Sequence, residues 1–284
     1  MTQPLAPYGA VPTGAAIARR RIALGTLGTF GTLGLAGLLG CGGGSDGSSG
    51  TTGSGGGTDT SGGSDTGTPQ TCSVVPEETA GPYPADGSSA SNANYNVLAL
   101  SGIVREDIRK SIGATGNVDG VPLSISITLT GTRSGCAALA GYAVYLWHCS
   151  QEGNYSVYTE RSIAANYLRG VQVTDAGGTV TFSTVVPGCY AGRMPHMHLE
   201  IYPSLALATT ASQSVKTTQL AFPTDTLGAI YAAHSGYSAS VRNLAAMSFA
   251  TDNVFSDGTE LQMTTMASDG SGGYTATAAI SIAA

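Results

Sequence analysis

The feature that most constrains this chain is a set of short runs in which apolar and polar residues alternate. Leu123, Ile125, Ile127 and Leu129 are interleaved with Ser124, Ser126 and Thr128. Residues 179–184 alternate again after the turn signal Asp175-Ala176-Gly177-Gly178, and residues 196–202 do the same. A period of two puts every second side chain on one face of an extended strand, so each run describes a ribbon with one buried face. Residues 141–149 form a longer apolar run rich in β-branched and aromatic side chains, and 215–222 and 274–282 are further strand candidates. Helical periodicity is scarce: 226–234 and 241–247 can each form only a short helix. Many short strands punctuated by Gly, Pro and Asp predict an all-β fold, a β-sandwich with few short helices.

Composition agrees with that reading. Only 11% of the 284 residues are charged against 42% hydrophobic, so the surface must be built from Ser, Thr and Gly, as in a β-rich secreted domain. The net charge is −6, and without Arg19, Arg20 and Arg21 it falls to −9, with 9 basic residues against 18 acidic ones. An anionic chain with no basic cluster is a poor partner for nucleic acid.

The first 40 residues read as a targeting segment. Arg19-Arg20-Arg21-Ile22 precedes a weakly apolar stretch over 22–39, interrupted by five glycines, that ends in Leu38-Leu39-Gly40-Cys41. A permanent membrane anchor and a cleaved export leader both remain open, but the glycines make the stretch marginal as a span. The paired arginines are similar to a twin-arginine export signal and the terminal tetrapeptide to a bacterial lipobox, which makes Cys41 the expected lipid-bearing first mature residue. Residues 41–70 are almost entirely Gly, Ser, Thr and Asp after that cysteine, a composition that cannot offset its ordering entropy, and they read as a flexible tether. The folded domain is expected over 71–284. The implied location is extracytoplasmic: the outer face of a bacterial cytoplasmic membrane, the periplasm or the cell surface, with membrane contact only through the lipid.

Cys72, Cys136, Cys149 and Cys189 lie in the expected domain, an even set for an oxidising compartment. Three pairings are possible, and the spacing does not choose among them. No CxxC spacing supports a thiolate metal site.

The chemistry concentrates around His196-Met197-His198. On a strand, i and i+2 face the same side, so both imidazoles can reach one point. A His-x-His pair alone is more often two ordinary surface histidines than a metal site, but only four histidines exist in the chain and two of them fall here. Just upstream, Pro187-Gly188-Cys189-Tyr190-Ala191-Gly192-Arg193 forms a turn that can return Tyr190 toward that strand. Tyr155 sits in Trp147-His148-Cys149-Ser150-Gln151-Glu152-Gly153-Asn154-Tyr155, where a strand runs into a polar turn. His148 and His234 have no such frame and read as structural or surface residues.

Taken in order, these segments resemble the intradiol ring-cleaving dioxygenases, the family of catechol and protocatechuate dioxygenases. The resemblance is carried by Pro76-Glu77-Glu78-Thr79-Ala80-Gly81-Pro82-Tyr83, Gly120-Val121-Pro122-Leu123, the Trp147 to Tyr155 segment and Leu168-Arg169-Gly170. It continues through Thr174-Asp175, the Tyr190 turn, Pro195 to His198 and Thr218-Gln219-Leu220-Ala221-Phe222-Pro223. It spans residues 72–284 and implies the family's β-sandwich core.

The resemblance implies a mononuclear, non-haem Fe(III) centre held by Tyr155, Tyr190, His196 and His198, with Tyr155 and His196 equatorial and Tyr190 and His198 axial. Two phenolates are hard, anionic donors suited to ferric iron, whereas zinc more usually recruits Cys, His or carboxylate. It further implies that a catechol binds the iron, displaces Tyr190, and passes a proton to it. O2 then adds between the two hydroxylated carbons to give a muconate-type diacid. Arg193 matches an arginine beside the bound ring and Gln219 a glutamine near the O2 or substrate site, so Tyr190, Arg193 and Gln219 are the expected catalytic set. The alternative is a non-catalytic surface sandwich of the same family that binds an aromatic compound or a polymer.

The chain departs from the family pattern in places. Only five residues separate Tyr190 from His196, leaving one pocket wall undefined, and Cys189 stands where relatives often carry a bulky aromatic. A Cys149–Cys189 bridge beside the iron is conceivable. The segment before residue 72 leaves no room for the helical dimerisation domain of the catechol-type branch. No basic cluster dedicated to a carboxylated catechol can be placed, and oligomeric state stays open.

Overall fold

The computed structural model describes residues 72–90 and 95–284. The leader, Cys41 and the Gly/Ser/Thr tract lie outside the described residues. Two sheets face each other. In the first, β1 (Pro122–Gly131) is central: it pairs antiparallel with β5 (Thr179–Val185) and with the two-residue β2 (Ala137–Ala138), and parallel with β9 (Tyr274–Ile282), which carries β8 (Thr265–Ser268). The second is antiparallel throughout, in the order β4 (Arg169–Val173), β3 (Ala143–Trp147), β6 (His196–Tyr202), β7 (Lys216–Ala221). Two short helices, α1 (Thr224–Ala233) and α2 (Ser238–Ala245), follow β7. The architecture is the expected β-sandwich.

Alternation accounts for the first sheet. Leu123, Ile125, Ile127 and Leu129 of β1 are buried and meet Val180 and Phe182 of β5, Ala276 and Ile280 of β9, and Val144, Leu146, Leu199 and Ile201 of the second sheet. Each large aliphatic side chain so buried contributes roughly 1.5–3 kcal/mol. The other face of β1 carries hydroxyls that pair across strands, Ser126 with Thr181 at 3.0 Å and Thr128 with Thr179 at 2.9 Å. That is how a chain with so few charges makes a soluble sheet face.

The second sheet differs, because both of its faces are covered. Every residue of β3 and of β6 is buried. Even-numbered β3 residues Val144 and Leu146 enter the sandwich core, whereas Ala143, Tyr145 and Trp147 join a second cluster with Ala85, Val97, Tyr155, Val157 and Tyr202. The cover over that outer face includes a strap formed by the first described residues. Val75 N–H donates to the Ser281 carbonyl of β9 and Glu78 N–H to the Thr217 carbonyl of β7, so the strap ties the two sheets together. Among the described residues, no helix is long and apolar enough to cross a membrane.

The disulfide joins Cys72 to Cys136, pinning the start of the strap to the turn after β1. Cys149 and Cys189 are free and buried, which corrects the expectation of a bridge between them. The reason is orientation: Cys149 packs among the outer cluster and Cys189 among the sandwich core, and neither thiol is turned to the other. Their thiols instead point to carbonyls, Cys149 to Gly188 and Cys189 to Arg193, both at 3.4 Å. His148 is buried, with a ring nitrogen 2.6 Å from Thr184 Oγ1, and His234 is exposed, as expected for structural and surface residues.

Candidate metal centre

β6 supplies two of the four donors. His196 and His198 share its outer face, with Nε2 atoms 3.1 Å apart. His196 Nδ1 lies 2.7 Å from the Met194 carbonyl, which can only accept, so Nδ1 carries the proton and Nε2 presents a lone pair. The His198 ring stacks on Trp147 of β3 at 4.8 Å and 5°.

Two turns bring the tyrosines. After β3, Ser150 N–H donates to the Asn154 carbonyl at 2.7 Å and Gly153 N–H to the Ser150 carbonyl at 2.9 Å, closing a turn that delivers Tyr155. Gly153 has φ +86°, and a Cβ there would stand 3.0 Å from Tyr190 Cβ, so glycine is needed both for the turn and for the approach of the second tyrosine. The Tyr190 turn is held from below. Gly188 N–H donates to Ser150 O at 3.1 Å, Cys189 N–H to Ser240 Oγ at 2.9 Å, and Asn243 Nδ2 to Cys189 O at 2.7 Å.

The result is a closed set. Tyr155 Oη lies 3.4 Å from His196 Nε2 and 3.3 Å from His198 Nε2, and Tyr190 Oη lies 3.2 Å from His196 Nε2. Donors about 2.1 Å from one metal ion stand roughly 3.0–3.4 Å apart, so this spacing fits a single ion. The lone pair of His196 Nε2 thus faces His198 Nε2, and a contact this short needs a proton or a cation between the two nitrogens. The donor chemistry, two oxygens that become phenolates and two neutral nitrogens, fits a hard or borderline cation of high charge. Among the described residues, no cluster of three or more His, Cys, Asp or Glu side chains offers a competing site.

Electrostatics of the metal-free site follow from burial. Desolvation pushes the Tyr155 phenol well above its ordinary range, with the neighbouring Tyr190 adding to the shift. It raises Tyr190 to about 12 against the opposing pull of Arg193. It lowers His196 to about 3, helped by Arg193, and takes His198 well below the usual imidazole value, helped by His196, Arg193 and Arg169. The imidazoles are therefore neutral and ready to ligate, whereas the phenols must release protons to a metal, so metal affinity should rise with pH.

Arg193 and Gln219 join the same cluster. Arg193 Nη1 is 3.4 Å from His196 Nε2, and Nη2 donates to Gln219 Oε1 at 2.7 Å. Gln219 Nε2 in turn donates to the Thr79 carbonyl of the strap at 2.8 Å. Gly81, with φ +67°, lies so close that a Cβ there would sit 3.4 Å from His198 Cε1, so the strap forms one wall of the site. Another wall, left undefined by the short Tyr190 turn, is Phe255, whose ring is 6.5 Å from His196 and under the Arg193 guanidinium at 5.7 Å.

Two residues escaped the sequence reading. Asp252 is fully buried and binds Arg193 Nε at 3.0 Å, while accepting from the Met194, Val254 and Phe255 amides. It lies 59 residues from Arg193 in an irregular segment, where an aspartate reads only as a turn former. Arg169, seen within a motif but given no role, is also fully buried. It donates to Ser156 Oγ and O, to the Tyr83 and Pro84 carbonyls and to Tyr145 Oη, binding the strap to the residue that follows Tyr155. Its LRG context was legible; its burial was not.

The comparisons agree with this architecture. The family model described as "Dioxygenase" matches residues 109–264. Among solved structures, an intradiol ring-cleavage dioxygenase from Tetranychus urticae is 24% identical, covering 74% of this chain and 94% of its own, with a TM-score of 0.56. A second dioxygenase crystal structure matches at 23% identity over 74% of this chain and 94% of its own, with a TM-score of 0.55. The dioxygenase domain of a dioxygenase–carbohydrate-binding protein fusion from the cellulolytic bacterium Streptomyces sp. SirexAA-E is 23% identical over 74% of this chain and 98% of its own, with a TM-score of 0.46. A comparison with curated proteins returned no match. With the family model covering more than half of its length and the sandwich built as described, the chain belongs to the intradiol ring-cleavage dioxygenase family.

Proposed function

We propose that this protein is an Fe(III)-dependent intradiol dioxygenase that cleaves a catechol-type ring between its two hydroxylated carbons, taking both atoms of O2 into a muconate-type diacid. The observation that carries the proposal is the convergence of Tyr155 Oη, Tyr190 Oη, His196 Nε2 and His198 Nε2 within hydrogen-bond distances of one another. Bound by these four, ferric iron would supply the Lewis acidity that opens a catecholate ring to O2. Tyr155, His196 and His198 are at most 4% exposed and would form the fixed part of the centre. Tyr190 is less buried, and its phenol holds a proton up to about pH 12 in the metal-free site. As a phenolate, Tyr190 would be a competent base for a catechol hydroxyl. Arg193 presents its guanidinium beside His196, where positive charge would stabilise carbanion character on the ring. Gln219 steadies that guanidinium against the strap.

Export as a lipoprotein through Cys41 is the second part of the proposal. It rests on the arginine and Leu-Leu-Gly-Cys signals, and the Cys72–Cys136 disulfide supports it because such a bond persists in an oxidising compartment. The test is direct. Purified protein loaded with iron should contain stoichiometric metal, be burgundy from tyrosinate-to-iron charge transfer, and consume O2 with a catechol to give a ring-opened diacid. A colourless iron-loaded protein would reject the ligand set. A coloured protein inert toward every catechol would leave the non-catalytic binder.

A further inference from the structure

Resting on that reading, we infer that the site is built for catechols without an anionic ring substituent, and that Asp252 sets this preference by occupying the Nε edge of Arg193, leaving only Nη1 to face the ring beside His196. The cations that act on them are Arg193 and Arg169. Arg169 lies beneath the surface, fully buried, with its guanidinium engaged by the backbone of Tyr83, Pro84 and Ser156 and by the Ser156 and Tyr145 hydroxyls, so no ligand carboxylate reaches it.

Arg193 is the less buried of the two, its side chain 13% exposed, and it is already paired. Asp252 takes its Nε–H on both carboxylate oxygens, at 3.0 and 3.2 Å. Burial alone would raise the Asp252 carboxyl, but the Met194 and Val254 amides and Arg193 more than offset that and hold it below its ordinary value, so the pair is ionised. One further carboxylate belongs to the same neighbourhood. Glu78 of the strap receives a hydrogen bond from Gln262, which also donates to the Gln219 carbonyl; burial raises its carboxyl, and Arg193 opposes that shift while Asp252 adds to it. Two carboxylates thus act on one guanidinium, Asp252 in contact and Glu78 at longer range. A ring carboxylate entering here would meet no free cation and a surplus of negative charge, whereas an uncharged catechol, or one bearing a cationic side chain, would not.

The experiment is anaerobic titration of the iron-loaded protein with catechol and with 3,4-dihydroxybenzoate, each followed by the change in visible absorption. Catechol should bind at least about tenfold more tightly. Asp252→Asn should narrow that ratio severalfold by releasing an unpaired guanidinium, and Glu78→Gln should narrow it to a smaller extent. Asp252 also anchors three amides, so should Asp252→Asn fail to fold, Glu78→Gln carries the test alone. A purely structural role for Asp252 would weaken both ligands alike and leave the ratio where it was. Equal or tighter binding of the carboxylated ligand by the wild type, or a ratio unmoved in every folded variant, overturns the inference while leaving the dioxygenase reading standing. An absorption spectrum that responds to neither compound would overturn the dioxygenase reading itself, and the inference with it.

Discussion

Met197, Leu199 and Ile201 point from β6 into the sandwich core, while His196, His198, Glu200 and Tyr202 point from the same strand to the opposite face. Both faces are dry, yet they are held by different means. The inner face is aliphatic and its stability scales with buried area. The outer face buries imidazoles, phenols, a carboxyl and the Arg169 guanidinium, each of which must be matched by a partner or neutralised. The inner face specifies the fold and tolerates any side chain of suitable volume. The outer face specifies chemistry, and tolerates little.

The sharpest test of that division is a pair of neighbours. His198→Ala should abolish the coloured iron form and lower iron affinity by more than about 100-fold, while the metal-free protein melts close to wild type. Leu199→Ala, one residue on, should cost about 2–5 kcal/mol in urea unfolding and leave the colour of the folded protein unchanged. If the two substitutions had similar effects on both measurements, the faces would not be separable.

Next in size is Arg169→Met. It strands the Tyr83 and Ser156 carbonyls and leaves Pro84 O with Tyr145 alone, so about 3 kcal/mol or more of stability should be lost, with a shifted tyrosinate band from a loosened Tyr155. A wild-type melting curve and spectrum would show that the strap is held by other contacts.

A pH series on metal-free protein sharpens the same contrast. His148 titrates near 4 and His196 near 3 because burial disfavours the cation. Their folded values are depressed, so the stability they contribute is present above about pH 6.5 and is lost as pH falls toward those values. Glu200 runs the other way: burial first, then Asp86, raises it to about 8, so its contribution is full below about pH 4.5 and is lost as pH rises through 8. Stability should therefore peak near pH 6.5, with the steeper fall on the acid side, at roughly 1.4 kcal/mol per pH unit for each histidine. Thermal melts at pH 4, 6.5 and 8.5 check the shape. The smallest effect expected is that of Cys149→Ser, which breaks no disulfide and should change iron content and activity by less than about twofold, with a destabilisation of about 1 kcal/mol from the poorer fit of a hydroxyl among apolar neighbours.

The inner face was legible in the sequence almost residue by residue, because alternation is a local signal. Runs at 179–184, 196–202 and 274–282 correspond to β5, β6 and β9 within a residue at each end. What alternation does not mark went unseen: β4, whose Arg169, Gly170 and Val171 are all buried without a period, and the short β2 and β8. Helix α2 begins at Ser238, earlier than its apolar residues imply. At the site, Tyr155, Tyr190, His196, His198, Arg193 and Gln219 were legible through motifs, and the structure brings all six together. Asp252 was not, because its role exists only across 59 residues of chain. The four cysteines show the same limit, since pairing is decided by which thiols the folded chain turns toward each other.

The strap has one more consequence, for the order of events during folding. Its contacts with the sheets are distant in the chain: Thr79 meets Gln219 across 140 residues, and Tyr83 meets Arg169 across 86. A ribosome makes this segment before any surface exists for it to lie on, and contacts of such separation close late. The wall over His198 is therefore among the last parts to dock. Pairing of β1 with β9 waits as long, across the 151 residues between Thr130 and Ser281, so closure of the first sheet and of the wall over the centre both belong to the end of folding.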